Sequence, residues 1–124
     1  MPLSVRFFVS AFIFTATACG SSTYGPSSNP PASCAGTGAS ATIDATSSLT
    51  FSPTSPPAIM AGQKVCWVNN SGIAHTVTSD NGGFTGGGSL PSGMTVVVTF
   101  PAAGSYPYHC SIHPATMTGT ITVQ

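Results

Sequence analysis

The chain has 124 residues, 41% of them hydrophobic and only 3% charged, with 14 glycines and 11 prolines. One domain is the ceiling at this length, and the apolar content is enough for a core, which excludes disorder driven by charge. The four charged side chains, Arg6, Asp44, Lys64 and Asp80, sum to zero, so no basic stripe exists to hold nucleic acid and the two carboxylates have no common setting for hydrolysis.

Residues 1–18 carry Arg6, an apolar run from Phe7 to Phe14 interrupted by Ser10, and then small residues ending in Ala16-Thr17-Ala18. The run is shorter than the roughly 20 apolar residues that span a bilayer and has the three-part layout of a signal peptide. Two processing chemistries compete there. Ala16-Thr17-Ala18 suits ordinary leader removal, which leaves Cys19 a stray thiol. The same stretch before Cys19-Gly20 resembles a bacterial lipoprotein box, with Ala16 in place of the usual leucine, and makes Cys19 a lipid anchor. Residues 19–33 are rich in Ser, Pro and Gly and read as a linker. The folded domain is expected over 34–124, with Lys64 against Asp44 and Asp80 leaving a charge of −1 on the exported chain.

From Cys34 onward no useful helical period occurs. Short alternating segments predict strands at 41–44, 49–51, 64–69, 75–79, 94–100, 106–110 and 118–123, separated by Pro, Gly and Asn clusters. Seven or eight short strands at that spacing indicate a sandwich or barrel. Alternation turns Met94, Val96, Val98 and Phe100 to one face, Val65 and Trp67 inward with Cys66 opposite, and Tyr106, Tyr108 and Cys110 inward with His109 out. Met117, Gly119, Ile121 and Val123 form the inward set of the last strand.

Cys110, His113 and Met117 form a C-x2-H-x3-M cluster between the last two strands, and His75 opens an earlier strand. A thiolate and a thioether are soft ligands that favour Cu(I), while imidazoles also suit Cu(II). Three ligands in a plane, His75, Cys110 and His113, with a long axial Met117, make the blue-copper arrangement. Structural zinc uses four Cys or His and has no role for methionine. Copper is the expected cofactor.

From Ile43 to Val123 the chain resembles the small cupredoxins of the plastocyanin, amicyanin and halocyanin kind. The resemblance is carried by Gly62-Gln-Lys-Val-Cys-Trp-Val-Asn-Asn70, His75-Thr-Val-Thr-Ser79, Gly104-Ser-Tyr-Pro-Tyr-His-Cys110, His113-Pro114 and Met117-Thr-Gly119. One departure stands out. Amicyanin-like loops put two residues between the second histidine and the methionine and plastocyanin-like loops four, whereas here there are three, Pro114, Ala115 and Thr116. The resemblance implies an all-β, Greek-key sandwich of seven to eight strands holding one copper that cycles between Cu(I) and Cu(II). It also implies a one-electron carrier rather than an enzyme, a monomer that exchanges electrons with a c-type cytochrome, a dehydrogenase or an oxidase. The expected place is the periplasm or the outer side of a bacterial membrane, with membrane contact only through an N-terminal anchor. Copper storage or delivery is the alternative.

The same resemblance places His113 at the edge of the site within an apolar exit patch of Ile73, Ala74, Pro114 and Ala115. It suggests support for the Cys110 sulfur from the Thr76 N–H and a carbonyl partner for the second ring nitrogen of His75. His109 is expected exposed and unliganded, although its position can lie on a second electron route. In this fold the first strand runs beside the third, so Cys34 and Cys66 are either bridged or two independent thiols. Met60 and Met94 read as filler, Trp67 as core, and Lys64, Asp44 and Asp80 as solvated charges.

Overall fold

A computed structural model describes residues 30–124, so the expected signal peptide, Cys19 and most of the linker lie outside the described residues. The described residues form eight strands and no helix: β1 (Ala41–Ala45), β2 (Phe51–Ser52), β3 (Lys64–Asn69), β4 (His75–Ser79), β5 (Gly88–Leu90), β6 (Met94–Thr99), β7 (Gly104–His109) and β8 (Thr118–Val123). They build two four-stranded sheets, ordered β2-β1-β3-β6 and β5-β4-β7-β8. β1 runs parallel to β3. The β3–β4, β5–β6 and β6–β7 connections cross between the sheets, which is the path of a Greek-key sandwich.

Alternation decides what each strand buries. Val65 and Trp67 of β3, Tyr108 of β7, and Met117 and Ile121 at β8 are fully buried in one core with Ile43, Phe51, Val77, Leu90 and Phe100. Trp67 meets the Tyr108 ring edge-on at 5.3 Å, and Phe51 lies 4.9 Å from the same ring. Met94 shares the face of the buried Val98 and Phe100 by alternation but is not itself buried. It sits at the start of β6 opposite Asn69, where the sandwich opens, and is 55% exposed.

β7 begins two residues earlier than expected and ends at His109, leaving Cys110 just past it, and β1 and β6 shift by one residue at their ends; β2 and β5 differ most. Leu49 adopts φ +59° in a tight turn closed by its N–H to Thr46 O at 3.2 Å, so β2 begins only at Phe51. β5 has no counterpart among the expected strands, because Gly86-Gly-Gly88 reads as a breaker. Glycine is required there for packing: a Cβ on Gly87 would lie 2.3 Å from the Val77 carbonyl oxygen of β4, so a larger residue would push the two chains apart.

The segment before β1 is tied along the outer side of β3. Ser40 N–H donates to Lys64 O at 2.8 Å, Cys34 is disulfide-bonded to Cys66, and Ala32 and Asn70 exchange two hydrogen bonds at 2.8 and 3.0 Å. This strap includes Ala32, two residues before Cys34. It also explains why Cys66 is fully buried although it points away from the core.

Gly119 of β8 lies under Tyr108, and a Cβ there would sit 2.4 Å from the phenol oxygen and 2.5 Å from Cζ. That oxygen and the Trp67 indole N–H both lack a hydrogen-bond partner among the described residues, and burial pushes the phenol pKa up to about 12. Gly119→Ala is expected to cost about 2–3 kcal/mol, since Phe51 and Trp67 leave the ring nowhere to move. Tyr108→Phe removes an unsatisfied buried oxygen and is expected to be neutral or stabilising by about 1 kcal/mol. A urea-unfolding double-mutant cycle checks both. A strain that the double variant relieves by roughly 1 kcal/mol supports the contact, and strict additivity refutes it.

Candidate metal centre

Three chain segments meet at one end of the sandwich. His75 is the first residue of β4, Cys110 follows the last residue of β7, and His113 lies in the turn toward β8. Their ligand atoms all lie within 4.8 Å of one another. Cys110 Sγ is 3.9 Å from His75 Nδ1 and 3.6 Å from His113 Nδ1, and the imidazole rings are 5.3 Å apart at 62°. Metal–nitrogen bonds of about 2.1 Å and metal–sulfur bonds of about 2.3 Å separate N and S by roughly 3.6–3.8 Å at tetrahedral to trigonal angles. The observed sulfur–nitrogen distances are at or within about 0.1 Å of that range, so these atoms could hold one ion between them.

The loop is held by its own backbone. His113 N–H donates to Cys110 O at 3.1 Å, Met117 N–H to His113 O at 3.0 Å, and Cys110 N–H to Met117 O at 2.9 Å. The three residues between His113 and Met117 thus make one compact turn, which accommodates a loop length intermediate between the two expected kinds. It returns Met117 beside Cys110, fully buried.

The sulfur of Cys110 accepts the Thr76 N–H at 3.3 Å, as expected. Thr76 contributes a second link, because its hydroxyl accepts the Ser111 N–H at 2.7 Å, and Thr78 and Ser111 hydroxyls meet at 2.7 Å. These bonds lock the loop after Cys110 to β4, so the distance between thiol and His75 is set by a sheet rather than by a free loop.

The Nε2 of His75 meets the hydroxyl of Ser71 at 3.1 Å, a side-chain partner additional to the backbone hydrogen bond with Thr46. Burial lowers the His75 pKa first, the neighbouring His113 charge lowers it further, and a backbone hydrogen bond with Thr46 opposes both. Burial thus favours the neutral ring, whose nitrogen lone pair is open to a metal. Ser71 and Asn69 are the residues that sequence reasoning passes over, since both read only as turn formers. A serine four residues before a ligand histidine is the available signal.

Around the site, Ile73 is 41% exposed, Ala74, Pro114 and Ala115 are exposed, and His113 is half-buried. Ile112, absent from the expected patch, is 52% exposed and belongs to the same loop. Met60 and Met94 are also exposed, as filler residues would be. His109 points away from the three ligand candidates and is half-buried, but Asp80 is not a free solvated charge: its carboxylate pairs with His109 Nδ1. The register of β4 against β7 brings them together.

A sandwich that converges one thiol and two imidazoles at its end, on a loop closed by a buried methionine, is built to hold a single soft-to-borderline metal ion, and copper matches that donor set. The family model for copper binding proteins of the plastocyanin/azurin family matches residues 37–124. A plastocyanin from Scenedesmus fuscus is 37% identical over 87 aligned residues, covering 61% of this chain and 88% of that one. Among solved structures, a reduced tryptophan-to-tyrosine mutant of amicyanin is 26% identical, with a TM-score of 0.64 over 80% of this chain and 95% of the other. A purple cupredoxin from Nitrosopumilus maritimus is 26% identical, with a TM-score of 0.57 over 68% and 99%. The chain belongs to the plastocyanin/azurin family of copper-binding proteins, and copper is its cofactor.

Proposed function

We propose that the protein is a mononuclear blue copper carrier, moving one electron at a time between redox proteins outside the cytoplasm and performing no substrate chemistry of its own. His75, Cys110 and His113 are the three close ligands and Met117 the axial one. Residues 1–18 export the chain, residues 19–33 link it to a lipid anchor on Cys19, and residues 34–124 form the copper domain. The observation that carries this reading is the N₂S triangle of His75, His113 and Cys110, with sulfur–nitrogen distances of 3.6 and 3.9 Å. A fixed set of soft and borderline ligands suits both oxidation states, so little need move when an electron arrives.

His113 is the ligand nearest solvent, and the exposed Ile73, Ala74, Ile112, Pro114 and Ala115 supply an apolar rim through which a c-type cytochrome, a dehydrogenase or an oxidase can dock against a monomer. With Lys64, Asp44 and Asp80 the only charges beyond the leader, docking has little to steer it. Electron exchange with the partner is expected to change less than about threefold between low and high salt, against the 10–10³-fold range that electrostatic steering gives. Stopped-flow rates across ionic strength measure this, and a steep salt dependence refutes it.

The deciding experiment is Cu(II) addition to the copper-free protein. A carrier gives an intense band near about 600 nm from the copper–thiolate bond, bleached and restored by cycles of reductant and oxidant. A storage or delivery protein prefers Cu(I) and shows no such band.

A further inference from the structure

Ser71 lies in the bend between β3 and β4. Its hydroxyl lies 3.1 Å from His75 Nε2, 2.7 Å from Asn69 Oδ1 and 3.2 Å from Ile73 O. Asn69, fully buried at the end of β3, is held on all sides. Its Nδ2 donates to Ile73 O and to Leu90 O, both at 2.8 Å, and its Oδ1 accepts the Ser71 N–H at 2.9 Å. The amide cannot turn without losing these bonds, so its oxygen faces Ser71.

A hydroxyl has one hydrogen to give. Whether that hydrogen goes to Asn69 Oδ1 or to the Ile73 carbonyl, only a lone pair is left toward His75. The imidazole edge facing Ser71 must then carry the proton, which makes Nε2 the N–H and leaves Nδ1 bare. Nδ1 is the nitrogen turned toward Cys110 Sγ, 3.9 Å away. We infer that Asn69 and Ser71 form a relay that fixes His75 in the Nε2–H tautomer and, through that hydrogen bond, sets how strongly the site prefers Cu(II) to Cu(I). The inference rests on the copper reading above. Its physical basis is that an acceptor on the far nitrogen raises the basicity of a ligand imidazole, and the more basic ligand favours the more highly charged ion. Ser71 is a positioning residue, acting through His75 alone. The rival for holding this ring is the Thr46 backbone, which raises the basicity of the imidazole.

The test uses the full chain as wild type, Ser71→Ala and Ser71→Thr. Ser71 is only partly buried, so both variants should fold. In the copper-free protein, ¹⁵N NMR of the imidazole is expected to show a single Nε2–H tautomer with a slowly exchanging proton in wild type and Ser71→Thr. Ser71→Ala should show both tautomers or rapid exchange. In the copper-loaded protein, Ser71→Ala is expected to lose about tenfold in Cu(II) affinity relative to Cu(I), the low end for such a partner. For a one-electron couple that is a rise in reduction potential of about 59 mV, and Ser71→Thr should restore the wild-type value.

An unchanged tautomer and potential in Ser71→Ala would overturn the inference, because the Thr46 backbone would then be holding the ring. Equal shifts in both variants would overturn it too, since shape and not the hydroxyl would be responsible. Absence of a thiolate band in the wild type would refute the copper reading instead, and the NMR comparison would still decide for or against the relay.

Discussion

Replacing Cys110 with serine is expected to abolish the visible band of the copper-loaded protein and to lower copper affinity by more than the 10–100-fold that loss of an outer partner costs. The thiolate is the one soft anionic ligand in the set, and no other free cysteine is found among the described residues. A serine hydroxyl at this position is a hard neutral donor that does not ionise near pH 7, so it supplies neither the charge nor the polarisable sulfur that copper requires. The fold should survive. Serine is close in size to cysteine, the Thr76 N–H that now points at Sγ at 3.3 Å would find an oxygen instead, and the backbone bonds closing the loop to Met117 do not involve the side chain. Far-UV circular dichroism should therefore be unchanged while the optical and EPR spectra change completely. If the variant keeps the wild-type spectrum, Cys110 is not a ligand and the assignment of the centre is wrong.

How much of this is legible in the sequence depends on how far apart the interacting residues lie. Strands β3, β4 and β8 are readable to the residue because alternation and flanking turn formers agree there. β5 is hidden because its glycines serve a contact with the Val77 carbonyl, ten residues away in the chain, and local composition carries no trace of that contact. Cys110 and His113 are separated by two residues, so their pairing is a local pattern, whereas His75 joins them only through the β4–β7 pairing and is singled out in the sequence by donor chemistry alone, as a histidine that opens a strand.

Polar residues at strand ends are the hardest to interpret. Asn69 looks like any turn asparagine until the Leu90 carbonyl, 21 residues on, is found accepting from it. Asp80 looks solvated until the same β4–β7 pairing brings His109 to it. In both cases a residue's role depends on a partner that only the folded sheets select. The apolar rim is legible in its composition, but Ile112 escapes notice because its neighbours Cys110 and His113 dominate the reading of that loop.

Removing the Cys34–Cys66 bridge is expected to lower stability by about 3–4 kcal/mol. The two cysteines are 32 positions apart, and closing a loop of that size in the unfolded chain costs roughly that much conformational entropy. For a domain of this size the melting temperature should fall by roughly 15–25 °C. Thermal melts of the copper-free protein, oxidised, reduced, and as the Cys34→Ala/Cys66→Ala variant, measure it. The copper spectrum of the variant is the more informative readout. The bridge fixes the segment before β1 to the outer face of β3, while His75 opens β4 and Cys110 and His113 lie in the loop after β7, all on the opposite sheet. On that geometry the melting point should fall and the visible band should stay where it is. Structural routes between them run along β3 from Cys66 to Asn69 and from Ala32 through Asn70 to the adjoining Asn69 and Ser71. A shifted band in the bridge variant would mean that the outer strap and the metal centre are mechanically coupled along these routes, and that the two sheets are less independent than their hydrogen bonding implies.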